Sequence, residues 1–234
     1  MQIADKSGAL FKRISTEGFG IVTDVLPEKG IAALLAGLEK SDLRRSRAGL
    51  RHAMRIESIA SLAHDARLIE LAKDVLGNNA VPFRATLFDK SPVSNWLVVW
   101  HQDTALPLRE SREVAGWGPW SVKDGVNYAH APASALEQVL AIRLHLDDST
   151  ADNGPLRVLP RTHTLGVLSD EQLHGLSTKI APVDCLVAKG GIVAMRPLIV
   201  HASSKSQSEK PRRVLHIEYA ATFQFAPGLD LAVS

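Results

Sequence analysis

A chain of 234 residues, 45% hydrophobic and 22% charged, carries enough apolar material for a large core, which excludes a disordered or collagen-like polymer and suits one β-barrel or sandwich domain. A formal net charge of +2 demands neither nucleic acid nor an anionic membrane as partner. No run approaches the roughly 18 to 20 apolar residues of a membrane helix, the amino-terminal residues lack the apolar core of a secretory signal, and Cys185 is the only cysteine, so a cytoplasmic protein is expected, with any transition metal held by nitrogen and oxygen.

The first third, residues 1–79, reads as a mostly helical flank. Pro27 opens a stretch over 28–40 in which Ile31, Leu34, Leu35 and Leu38 recur at helical spacing. Residues 56–76 repeat the pattern through Ile59, Leu62, Leu68, Leu71, Ala72 and Val75, and Gly77-Asn78-Asn79 supplies a stop.

From Ala80 the chain turns to short β-rich runs, over 81–88, 96–101, 139–146, 156–159, 184–187, 192–195 and 214–223, separated by turns such as Asn153-Gly154-Pro155 and Gly190-Gly191. Many short strands behind a helical flank predict an α+β, mainly β, protein with a barrel or sandwich core over 80–225. Within that core, residues 104–134 show little periodicity and contain Trp117-Gly118-Pro119-Trp120. A loop this long is expected to act as a lid or binding loop, with Trp117 a candidate substrate contact, although such tryptophans also serve to anchor a loop to a core.

His101-Gln102-Asp103 ends a hydrophobic strand, and strand alternation puts the imidazole and the carboxylate on one face. His201, after the apolar run Leu198-Ile199-Val200, is the candidate for a third ligand from a second strand. Two histidines and one carboxylate on one face of an octahedral ion leave the other face open, the arrangement of non-haem Fe(II) oxygenases. Chance alone also produces a His-x-Asp pair among 9 histidines and 25 acids, and His145-Leu146-Asp147 is a second instance. Alternation there groups Arg143, His145 and Asp147; if that face looks inward, Arg143 and His145 line a substrate pocket, and if outward they are solvated.

His101-Gln102-Asp103, the run Asn153-Gly154-Pro155-Leu156-Arg157-Val158-Leu159-Pro160-Arg161-Thr162-His163, and residues 201–213 together resemble the phytanoyl-CoA dioxygenase family of 2-oxoglutarate-dependent oxygenases. The resemblance implies a double-stranded β-helix (a jelly roll, cupin-like) and the use of Fe(II), O₂ and 2-oxoglutarate to hydroxylate a C–H bond of a small-molecule substrate, with release of succinate and CO₂. It makes His101, Asp103 and His201 the iron ligands. It also puts Arg212 on the far carboxylate of 2-oxoglutarate, while strand alternation turns its neighbour Arg213 to the opposite face; Ser203 and Lys90 are candidate cosubstrate contacts, although a strand serine is more often a local hydrogen-bonder and a lysine a solvated stem. A guanidinium fork suits a bidentate carboxylate contact. Arg161 departs from the family's Pro-Gly-Ser-His pattern, which puts the local turn in question. Asp103, where halogenating relatives carry a small residue, favours hydroxylation.

The cluster Arg44, Arg45, Arg47, Arg51 and Arg55 is either a solvated charged face or the entrance for an anionic substrate. Two other functions remain open on the residues themselves: a hydrolase holding zinc with the same three side chains, and a ligand-binding module without catalysis.

Overall fold

The computed structural model describes residues 3–41 and 49–234. Two antiparallel sheets face each other. The major sheet orders its strands Phe19–Val22, Ile192–Met195, Val139–His145, Arg212–Ala220, Val81–Lys90 and Gly49–Leu50. The minor sheet runs Val183–Cys185, Leu156–Val158, His201–Ser203, Val98–His101. This is the expected jelly-roll architecture. Among the described residues no helix is long and apolar enough to cross a membrane.

The helical flank covers the outer face of the major sheet. In Glu28–Glu39 the residues Ile31, Leu34 and Leu38 are buried, and they join Ile59, Leu62, Leu68 and Leu71 against Leu87, Ile142, Leu144, Leu215 and Ile217. Burial of each such side chain stabilises the fold by about 1.5–3 kcal/mol. The run over 56–76 is two helices, Glu57–Ala63 and Ala66–Leu76. The break at His64-Asp65 lets Asp65 cap the second helix through the Arg67 amide. The flank is not purely helical, since Phe19–Val22 pairs with Ile192–Met195 and extends the major sheet.

Residues 104–134 are more ordered than their aperiodic sequence predicts. Ala105–Leu108, Trp120–Lys123 and Val126–His130 form a three-stranded antiparallel sheet, whose Leu106, Leu108 and Ala129 pack on Phe83, Leu136 and Leu198. Short strands with mixed faces carry too little periodicity to be seen in sequence.

Every residue of Val139–His145 is buried, yet the two faces differ in kind. Leu140, Ile142 and Leu144 pack outward with the helices, while Ala141, Arg143 and His145 point between the sheets. Along Arg212–Ala220 the residues Leu215, Ile217 and Tyr219 likewise pack outward, and Arg212, His216 and Glu218 are buried on the inner face. Polar side chains inside a closed sandwich need a ligand or one another. They mark the cavity.

Candidate active site

His101 and His201 are direct partners across the antiparallel pairing of their strands. Their ring centroids lie 4.2 Å apart. Asp103, two residues beyond the strand Val98–His101, donates its backbone amide to the carbonyl of Pro197 at 3.0 Å, and its carboxylate faces both rings. Asp103 Oδ1 is 3.7 Å from His101 Nε2, and Oδ2 is 3.5 Å from His201 Nε2. One donor atom from each of the three side chains lies within 4.8 Å of the others. Two donors on one ion at bonds of about 2.1 Å stand at most about 4.2 Å apart, so both carboxylate-to-imidazole distances suit a shared ion.

Electrostatics prepares the same atoms. His101 Nδ1 lies 2.8 Å from the carbonyl of Val99, and His201 Nδ1 lies 2.9 Å from that of Ile199. A carbonyl only accepts, so each Nδ1 donates to it and each Nε2 is the atom left facing Asp103. Burial pushes the His201 imidazole down to about 3, so it is neutral at physiological pH. Burial alone would raise the Asp103 carboxyl, but His201, His101, His216 and Arg84 around it hold it well below the usual carboxylate range. The site thus offers a neutral imidazole at His201 and an anion at Asp103, the protonation states a divalent ion requires of these ligands.

The same cavity is lined at its other end by Lys90, Ser203 and Arg212. Lys90 and Arg212 face each other in register, and both are buried, at 1% and 3% exposure. Ser203 Oγ accepts from Lys90 Nζ at 2.8 Å and from Arg212 Nη2 at 3.4 Å, and donates to the carbonyl of Gly154 at 2.8 Å. Arg212 Nε donates to the Asn153 carbonyl at 3.1 Å. Gly154 sits at φ +67°, and a Cβ there would lie 2.3 Å from the Ser204 carbonyl oxygen; the turn can approach these cations only as glycine. Among the described residues neither cation is paired with a carboxylate. Burial, with Arg212 and Arg143 nearby, pushes the Lys90 ammonium down to about 7. Burial and Arg143 bring Arg212 down to about 10, so it remains a cation.

Arg213 turns to the other face, as alternation requires, and its guanidinium grips both oxygens of Asp147 at 2.8 Å. Arg143 lines the cavity. His145 is buried on the same inner face with no hydrogen-bond partner for either ring nitrogen, but it is not among the residues that line the cavity. Trp117 packs its ring on Phe225 at 6.0 Å within the apolar cluster beneath the small sheet, the anchoring role open to a tryptophan in such a segment. Arg44, Arg45 and Arg47 lie outside the described residues; Arg51 is exposed and 3.6 Å from Asp124. Arg161 holds φ +71°, the left-handed turn that glycine adopts freely, and pairs with Glu17 at 3.0 Å on the surface.

Sequence reasoning missed the apolar wall of the cavity, formed by Phe88, Trp96, Val98 and Leu156. It also missed the polar group Arg84, His216 and Glu218. The signal for the latter was present: His216 and Glu218 interrupt an otherwise apolar strand at alternate positions.

The sequence matches the model of the phytanoyl-CoA dioxygenase (PhyH) family over residues 14–214. The chain belongs to the phytanoyl-CoA dioxygenase family. An L-proline trans-4-hydroxylase of Streptomyces griseoviridis is 28% identical in a match that covers 48% of this chain and 51% of that one; the match thus spans about half the length of this relative. Two solved structures share the family fold across most of the chain. EctD from S. alaskensis, solved with 2-oxoglutarate and 5-hydroxyectoine, superposes with a TM-score of 0.70 at 19% identity over 92% of this chain and 76% of its own. The epimerase SnoN, solved with Fe³⁺, α-ketoglutarate and nogalamycin RO, gives 0.68 at 19% identity over 93% and 84%.

Proposed function

We propose that this phytanoyl-CoA dioxygenase family member is an Fe(II)- and 2-oxoglutarate-dependent oxygenase that hydroxylates a C–H bond of a small organic molecule. The observation that carries the reading is one cavity with two ends: His101, Asp103 and His201 converge at one, and the unpaired cations Arg212 and Lys90 meet at the other. A metal-binding end and a carboxylate-binding end together suit a ferrous ion and a dicarboxylate. The matched relative from Streptomyces griseoviridis is, by name, a hydroxylase of a small amino acid, which supports the same chemistry here.

Bound together, Fe(II), O₂ and 2-oxoglutarate supply the oxidation, in which substrate, O₂ and 2-oxoglutarate yield hydroxylated substrate, succinate and CO₂. The protein's part is position and charge. His101, Asp103 and His201 would hold the iron, with the two imidazoles oriented by the backbone carbonyls behind them. Arg212 presents a planar fork to the cosubstrate's far carboxylate. Lys90 and the Ser203 hydroxyl are held beside it, so little side-chain entropy is lost on binding. Phe88, Trp96 and Leu156 exclude water from the space between the two ends, which strengthens each charge interaction there.

The test is succinate formation from 2-oxoglutarate under air by Fe(II)-loaded protein across a panel of small amino and carboxylic acids, together with anaerobic calorimetry of 2-oxoglutarate binding. Metal-dependent binding and succinate release above a His101→Ala control are expected. Absence of both would sink the reading.

A further inference from the structure

Arg143 is a buried guanidinium that the metal and the cosubstrate leave unanswered. It is 7% exposed and stands over the ring of Phe88, 5.1 Å from the centroid. Its Nη1 lies 3.0 Å from His216 Nδ1, and its Nε is buried with no partner. Two acids act on it: Asp103, which lies between the two imidazoles, and Glu218, which is taken by Arg84 through both of its oxygens. Glu218 also lies 3.7 Å from His216 Nε2. With Nδ1 accepting from Arg143, the imidazole keeps its proton on Nε2, toward Glu218. The partner of Arg143 is therefore a neutral ring, not a counter-charge.

Register places this cation away from the cosubstrate's far end. Arg143 pairs with His216, and Arg212, four residues earlier on the same strand, pairs with Lys90. That separation is about 13 Å of strand. A five-carbon diacid with its far carboxylate on Arg212 and its near end at the metal has no third anionic group to offer. The charges lead to the same point. A ferrous ion and the two cosubstrate carboxylates cancel, Asp103 answers one of the two guanidiniums lining the cavity, and one positive charge is left before Lys90 is counted. A buried charge without an opposite charge is costly. The surplus calls for an anionic group on the substrate, and a planar carboxylate fits the fork of a guanidinium.

We propose that the substrate of this site is a small carboxylic acid whose carboxylate is bound by Arg143, with His216, Glu218 and Arg84 holding that guanidinium in place from behind. The assignment rests on the oxygenase reading and names its substrate class. It makes Arg143 a specificity-determining residue for the reaction.

The test is anaerobic calorimetry on the Fe(II)-loaded chain, first with 2-oxoglutarate and then, with 2-oxoglutarate bound, with cyclohexanecarboxylate and L-proline against their primary amides. At least one carboxylate is expected to bind about tenfold or more tighter than its amide, as a charge-assisted contact in a dry site requires. Arg143→Gln should abolish that preference while leaving 2-oxoglutarate affinity within about threefold, and Arg143→Lys, which keeps the charge, should restore part of it. The proposal is overturned if the unaltered protein prefers neither carboxylate, if the preference survives Arg143→Gln, or if Arg143→Gln weakens 2-oxoglutarate as much as Arg212→Gln does. Failure of 2-oxoglutarate to bind at all removes the oxygenase reading itself, and this one with it.

Discussion

His101 and His201, 100 residues apart in the chain, are register partners on adjacent strands with their rings 4.2 Å apart. A strand pairing fixes this contact, so the metal position is built into the sandwich rather than hung on a loop. Rigid strands hold ligands more closely than loops do.

Removal of any one of the three side chains should empty the metal position without unfolding the protein. His101→Ala, Asp103→Ala and His201→Ala are each expected to weaken Fe(II) or Mn(II) binding by at least about a hundredfold, since even the groups behind metal ligands are worth tenfold or more. Metal content after dialysis, with circular dichroism as the control for folding, checks this. A variant that retains stoichiometric metal would remove its residue from the ligand set.

The adjacent arginines should separate cleanly. Arg212→Gln is expected to raise the dissociation constant of 2-oxoglutarate by about 10- to 100-fold, the worth of a charged hydrogen-bonded contact. Arg213→Gln breaks the contact with Asp147 on the opposite face and should leave that constant unchanged. Equal losses in the two variants would contradict the inward position of Arg212.

Lys90 gives the cosubstrate end a pH dependence. With its ammonium pushed down to about 7 by burial, Arg212 and Arg143, the free protein loses this proton near neutrality, and a bound dianion draws it back. Binding of 2-oxoglutarate should therefore take up a proton above pH 7, and affinity should fall by up to about tenfold per pH unit beyond it. The sign for folding is opposite: the unfolded chain keeps the proton up to the ordinary lysine value of 10.5, so this group makes the ligand-free protein more stable as pH rises through 7. Calorimetry in buffers of different ionisation enthalpy measures the uptake, and Lys90→Met should abolish it.

Arg84 and Glu218 form a buried ion pair, at 14% and 2% side-chain exposure. Glu218→Gln is expected to cost about 3 kcal/mol in urea denaturation, because it strands a buried guanidinium. The double replacement Arg84→Met, Glu218→Leu should recover most of that loss. No recovery would mean that the charges themselves, and not their mutual satisfaction, stabilise the sandwich.

The chain's local order was legible in the sequence where periodicity was strong. The apolar stripes through Ile31, Leu34, Leu38 and Leu68, Leu71 correspond to helices, and the run over 192–195 is a strand with those bounds. His101, Asp103, His201 and Arg212 could be named because ordered short motifs carry them. The small sheet within 104–134, the strand Phe19–Val22 and the helix Asp170–Lys179 were not read, because short or mixed-face segments have little periodic signal.

By itself the sequence determined which residue types were available for a metal and a dicarboxylate, and the alternation that puts Arg212 and Arg213 on opposite faces. Only the tertiary structure decided which polar strand residues look inward. Arg143 and His145 alternate with leucines in the same way whether their face meets solvent or a second sheet. Burial on both faces of Val139–His145 arises because helices cover one side and the minor sheet the other, and no local pattern encodes that.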